Sequence, residues 1–239
     1  QATYETVVRP VIEYASTIWS PIITETNLQK LETTQNNALR IITGCTQDTH
    51  TQHLHIETKT LPLEYHIKLH ASQLRQKALL TSHPLHDLTQ PDTTLREMKE
   101  TIFRNWSNKT INLDHQNTSQ ITPDQIEKNK TTIHTMIVSE YIATLEPNPV
   151  ISAYPPEINP SEMSLDRRTR RILTQLRDDR SPILKSYLNK IDLTNHPSPA
   201  CPVCKRHNHN AQHLFTCPKI TTTLIPLDLW NNPVAVASL

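Results

Sequence analysis

Glycine is almost missing from this chain, with 1 residue in 239. Average usage is about 7%. Phosphate-cradling loops and tight hairpins need backbone at positive φ, which glycine alone adopts freely. A Gly-rich phosphate loop, a dinucleotide fingerprint and a hairpin-rich barrel are therefore poor readings. Long apolar runs are missing too, so no membrane-spanning helix is expected. Neither sign of charge dominates: 24 Lys and Arg face 23 Asp and Glu, for a net +1. Any nucleic-acid surface must then be local. Hydrophobic residues stand at 36%, below the usual share of about 45–50%. A chain of this length still has room for a core. It opens on Gln1 without a secretory leader, and we expect it to be a piece of a longer, intracellular protein.

Turns must use the 18 prolines with Asn and Asp. Between them the apolar residues recur every three or four positions, which predicts an all-α fold. A first helix covers 4–19, with a kink at Pro10. A second, capped by Thr26, carries Leu28, Leu31, Ala38, Leu39 and Ile42, and ends at Gly44 as a C-terminal cap with no other role. A third covers 62–81, with Leu63, Ile67, Ala71, Leu74 and Ala78 on one face. Residues 82–121 read as a polar connector with one short helix near 93–105. Thr122-Pro123-Asp124 opens a helix to about Leu145, buried through Ile126, Ile133, Met136, Ile137 and Ile142. Prolines from Pro147 to Pro160 mark a boundary. Ser164 opens the last helical region, which Ser181-Pro182 interrupts and 183–191 resumes.

The strongest chemical signal is Cys201-Pro-Val-Cys204, then His213-Leu-Phe-Thr-Cys217. A C-x2-C pair with an H-x3-C pair matches ligand spacing for tetrahedral Zn2+. Four protein ligands close the coordination sphere, so the ion would be structural. His209 could stand in for His213, at a poorer spacing from Cys217. Without a secretory leader, disulfides are the weaker alternative. The second signal is a basic run: Arg167, Arg168, Arg170, Arg171, Arg177, Arg180 and Lys185 lie between Asp166 and Lys190, a stretch with net charge +5. On a helix Arg167, Arg170, Arg171 and Arg177 would share a solvent face suited to phosphates.

Other motifs carry less. Asp178-Asp179 reads as surface charge or a helix end, not as a polymerase carboxylate pair. His50, His53 and His55 read as surface polar residues, and Cys45 as a small packed side chain. Neither Gly-x-Ser-x-Gly nor His-Glu-x-x-His occurs. The glycosylation patterns at Asn105, Asn108, Asn117 and Asn129 read as chance matches in an Asn- and Thr-rich chain.

Several stretches together resemble the thumb and C-terminal region of jockey-type non-LTR retrotransposon reverse transcriptases. They are Tyr4-Glu-Thr-Val-Val-Arg-Pro-Val-Ile-Glu-Tyr-Ala-Ser-Thr-Ile-Trp-Ser-Pro21, Leu31-Glu-Thr-Thr-Gln-Asn-Asn-Ala-Leu-Arg-Ile-Ile-Thr-Gly44, Leu176–Ile191, the Cys/His pattern, and Leu227-Asp-Leu-Trp-Asn-Asn-Pro233. One departure is three residues between His213 and Cys217, where the family often has four. The resemblance implies a thumb end at 1–45, a helical connector at 46–160, a basic helical segment at 161–199, and a zinc-knuckle-like module with its tail at 200–239. It implies nucleic-acid partners, the element's RNA template and target DNA, and a nuclear place of work. The resemblance also implies that the catalytic palm lies upstream and that this chain, read as a fragment of an RNA-directed DNA polymerase, holds no catalytic residue. The competing reading is a zinc-stabilised helical protein-interaction module. A further one, an enzyme built from the many histidines, would need a deep pocket.

Overall fold

A computed structural model describes residues 2–20, 22–86, 113 and 122–239. The expected short helix near 93–105 and the patterns at Asn105, Asn108 and Asn117 lie outside the described residues. The fold is all-α. Among the described residues the only β pairing is an isolated bridge between Ala200 and Asn208. No described helix is long and apolar enough to cross a membrane. The chain divides into two compact units, Gln1–Ala38 with Thr60–Thr144, and Leu39–Lys59 with Leu145–Leu239.

The first unit opens with a π-helical turn, Tyr4–Val8, followed by α1 (Arg9–Glu13) and α2 (Ser16–Trp19). The predicted continuous helix is broken after Glu13. Pro10 follows directly on the π turn: Val8 and Arg9 are still right-handed helical and the Arg9 amide reaches back to Tyr4 O, so the wide turn takes up the residue without an N–H. Tyr14 leaves helical geometry and Ala15 takes φ 51°. Helix α3 (Glu25–Thr43) begins one residue before the expected cap. Thr24, not Thr26, accepts from the Asn27 amide through its hydroxyl oxygen, at 3.4 Å. Ile12, Trp19, Ile23 and Leu31 pack around Leu28, Leu63 and Ile67.

Helices α5 (Leu63–Ala78) and α6 (Pro123–Ala143) pair through a second apolar cluster of Leu69, Ile133 and Ile137. Thr122 caps α6 by accepting from the Gln125 amide. The expected buried side holds at Ile126, Ile133 and Ile137, while Met136 and Ile142 face solvent. Asn129 is buried and donates to Gln76 Oε1 at 3.0 Å, so its amide is committed to the helix pair and closed to a glycan.

The second unit contains α4 (Thr51–Thr58), which the sequence reading did not resolve, and short elements after the proline stretch. These are a 3₁₀ turn (Pro160–Ser164), α7 (Arg167–Arg177), α8 (Lys185–Ile191), α9 (Ala211–Thr216), α10 (Asp228–Asn231) and α11 (Pro233–Ala237). The cap of α7 is Asp166, two residues beyond the expected Ser164; its carboxylate accepts from the Arg168 and Thr169 amides. Isolated helices under about 12–15 residues are unstable in water, so packing must hold these. Leu173, Leu176, Leu184, Tyr187, Ala211, Phe215, Leu229 and Trp230 form one shared core.

Gly44 ends α3 at φ 74° and donates its amide to Arg40 O, as a left-handed cap should. It also has a role that the sequence reading denied it. A Cβ here would stand 2.5 Å from Arg171 Cγ. The glycine therefore lets the Arg171 stem cross the helix end, while Gln175 Nε2 donates to the Gly44 carbonyl at 2.8 Å.

Candidate metal centre

Cys201, Cys204, His213 and Cys217 converge. All four are buried, and one ligand atom from each lies within 4.8 Å of the others. Cys201 Sγ is 4.0 Å from Cys217 Sγ, and Cys204 Sγ is 3.3 Å from His213 Nε2. Ligands on a tetrahedral ion with bonds of about 2.0–2.3 Å stand roughly 3.5–3.8 Å apart. The cage therefore has the size a metal ion takes.

Local structure explains the convergence. The first pair sits on a knuckle in which the Cys201 amide donates to His207 O and the Lys205 amide to Cys201 O. Lys205 adopts φ 60° to close the turn. The second pair rides on α9. Asn210 caps that helix by accepting from the His213 amide at 2.8 Å, which fixes the helix start one turn before the ring. Ala211 and Phe215, on the other face, enter the core of the unit. Residues 200–239 therefore share their core with α7 and α8.

The electrostatics favour a cation. The Arg206 amide pulls the Cys204 thiol down to about 5 against the opposing effect of burial, and the His207 amide and both histidine rings add to the pull. At Cys217 the Lys219 amide pulls the same way, yet burial and the sulfurs of Cys201 and Cys204 push the thiol above its ordinary range. Three thiols this close cannot all ionise without repulsion, and a bound dication removes the conflict. His209, the alternative ligand, is engaged elsewhere: its Nδ1 accepts from the Lys185 amide at 3.1 Å, at the start of α8. His207 stacks on His213 with centroids 5.4 Å apart.

The basic run divides into two groups. Arg167, Arg168 and Arg171 are exposed on α7, and Lys185 is exposed at the start of α8. Arg167 Nη2 donates to Ile41 O at 3.3 Å. Arg170 is half-buried with Nη1 3.5 Å from Met163 Sδ. Arg180 is half-buried and binds Asp178 at 2.7 Å and Asp48 at 3.4 Å. Arg177 does not share the solvent face assigned to it: it is 0% exposed. Its Nη1 donates to Glu57 Oε2 at 3.1 Å, its Nη2 pairs with Glu162, and its Nε donates to Leu229 O at 3.0 Å. Its guanidinium also lies 5.8 Å from the Trp230 ring centroid. Burial disfavours the charge, but the two carboxylates outweigh it and hold Arg177 protonated.

Other residues also differ from their sequence reading. His53 and His55 are buried, not surface polar, and His53 Nε2 stands 3.0 Å from Thr174 O. Asp178 is buried at the end of α7, and Asp179, at φ 54°, accepts from the Ala211 amide at 2.7 Å. The acidic pair is thus a helix end that anchors the helix carrying His213, not surface charge. Cys45 is packed as expected, and burial raises its thiol to about 11. Lys205, Arg206 and Lys219 are exposed beside the ligands. The sequence reading passed over them, although two directly follow Cys204.

No protein-family model, curated protein or solved structure matches this chain.

Proposed function

We propose that this chain is the thumb and C-terminal Cys/His portion of a jockey-type non-LTR retrotransposon reverse transcriptase, and that it grips nucleic acid without chemistry of its own. In this reading Cys201, Cys204, His213 and Cys217 hold a structural Zn2+. Three thiolates and one imidazole suit a borderline-soft d10 ion with no open position. The exposed cations Arg167, Arg168, Arg171, Lys185, Lys205 and Arg206 contact phosphates of template RNA or target DNA in the nucleus. The observation that carries the reading is the Cys/His cage in the same compact unit as this set of exposed cations. Arg177 is removed from the binding set, because a buried guanidinium held by two carboxylates cannot reach a phosphate.

The experiment is binding of a structured RNA across a salt series. Log K should fall linearly with log salt, because phosphate contacts release counterions. Replacing Arg167 and Arg168 by Ala should make the slope shallower by about two contacts' worth. A flat line in the wild type defeats the reading.

One observation favours the protein-interaction alternative. Val11, Tyr14 and Ile18 are 75%, 81% and 72% exposed on the N-terminal helices, with Val7 and Ile22 exposed beside them. Within the polymerase reading this apolar surface serves the upstream palm. Salt-independent behaviour toward RNA, with self-association lost on Val11→Glu and Ile18→Glu, would favour the interaction module.

A further inference from the structure

We propose that Glu13, His66 and His70 form a second metal site, one that takes a borderline divalent transition cation such as Zn2+ or Co2+ through two imidazoles and a carboxylate. It lies wholly in the first compact unit and is independent of the Cys/His cage.

Helix α5 supplies the two histidines one turn apart, on neighbouring positions of one face. Their rings meet edge to face, with centroids 4.3 Å apart and planes at 64°. Glu13 is the last residue of α1. Its neighbour Ile12 packs against Leu28, Leu63 and Ile67, which fixes the end of α1 against the start of α5. The backbone then turns away at Tyr14 and Ala15, and the Trp19 Nε1–H donates to Tyr14 O at 2.8 Å to hold that turn. One ligand atom from each of Glu13, His66 and His70 lies within 4.8 Å of the others.

The donor set is chemically ready. His66 Nδ1 is buried and pairs with Glu13 Oε1 at 2.6 Å. Arg9 Nε donates to Glu13 Oε1 at 2.7 Å. That bond orients the carboxylate, as outer partners of metal ligands do. It also places a positive charge nearby, so this site binds more weakly than the three-thiolate cage. Two histidines and one glutamate leave the fourth position of a tetrahedron to solvent.

The test is a Co2+ titration of the full chain, with ions per chain counted by native mass spectrometry. Cobalt bound by thiolates gives strong charge-transfer absorption; cobalt bound by imidazole and carboxylate does not. The wild type should take two ions, the first with the thiolate band and the second without. His66→Gln with His70→Gln should take one ion and keep the band. Glu13→Gln should weaken the second ion at least tenfold. Cys201→Ser with Cys204→Ser should lose the band and retain the second ion. Because His66 is partly buried, the helical circular dichroism of each variant serves as the folding control, and Glu13→Gln tests the site without touching α5. A wild type that takes one ion, or a second ion that both the histidine pair and the Glu13 variant keep, overturns the proposal.

Discussion

In the first compact unit, α5 and α6 run for 16 and 21 residues and meet through an apolar cluster with one buried amide pair, Asn129 to Gln76. In the second, the helices from α7 onward have between 4 and 11 residues, and a guanidinium with two carboxylates lies among the buried residues. Long amphipathic helices stabilise each other along their length, so apolar contact carries most of the pairing. Short helices bury too little each, and they must be tied at points. The second unit uses directional ties: Asp179 to the Ala211 amide, His209 to the Lys185 amide, Gln175 to Gly44, and Arg177 to Glu57, Glu162 and Leu229. With the proposed ion bound, the Cys/His cage is one more such tie. Directional ties specify one arrangement, but each fails abruptly when one partner is removed.

The largest expected effect is therefore metal removal. Small zinc modules draw about 10–16 kcal/mol of apparent folding free energy from the ion. The second unit has an apolar core besides, so the loss here should be smaller than that but greater than for any substitution below. A strong chelator should abolish amide-exchange protection in α9 and the knuckle first, and leave α6 protected. Protection that is unchanged throughout 200–239 would remove the cage from the list of ties.

Arg177→Leu comes next. It leaves Glu57 and Glu162 buried without their cation, which costs about 3–5 kcal/mol. Adding Glu57→Gln and Glu162→Gln should recover a large part, because the loss comes from unpaired charge and not from lost packing. Denaturant titration of the single and triple variants reads both numbers. A single variant as stable as wild type would show that the buried triad is incidental.

The first unit should respond differently. Ile133→Ala removes buried volume between α5 and α6, and costs about 2–5 kcal/mol with the native cage still formed. The checking measurement is thermal unfolding of the variant with metal bound, followed by both helical signal and the cobalt–thiolate band. If the band is lost together with α5 and α6 at one temperature, the two units are a single cooperative body, and the contrast drawn above fails.

This contrast also explains what could be read from the sequence. Helices α3, α5 and α6 were legible because apolar residues recur at helical spacing over many turns. The cage was legible because each ligand pair is close along the chain. Ties between distant residues leave no local trace. Arg177 lies in a run of arginines that looks like a solvent face, and its partner Glu57 is 120 positions away. His53 and His55 sit in α4, whose eight residues carry no clear apolar stripe, so their burial was invisible. The break after Glu13 was hidden because nothing local to Tyr14 or Ala15 demands left-handed backbone; an alanine there is held against a cost of about 1–2 kcal/mol by the packing of Ile12 and Trp19.

The smallest effect separates two contributions at one residue. Gly44→Ala must hold a Cβ at φ 74°, which costs about 1 kcal/mol or slightly more. It must also displace the Arg171 stem, whose Cγ and Cδ would lie 2.5 and 2.6 Å from the new atom. That stem is flexible and exposed, so its displacement should add only a few tenths of a kcal/mol unless the crossing is itself one of the unit's ties. A double-mutant cycle with Arg171→Ala decides which. If the stem merely moves aside, the cost of Gly44→Ala is nearly the same in both backgrounds, and the glycine is required by its backbone alone. If the cost falls by about 1 kcal/mol or more once Arg171 is shortened, the close crossing between the end of α3 and α7 belongs with Gln175 and Arg177 among the contacts that align the short helices.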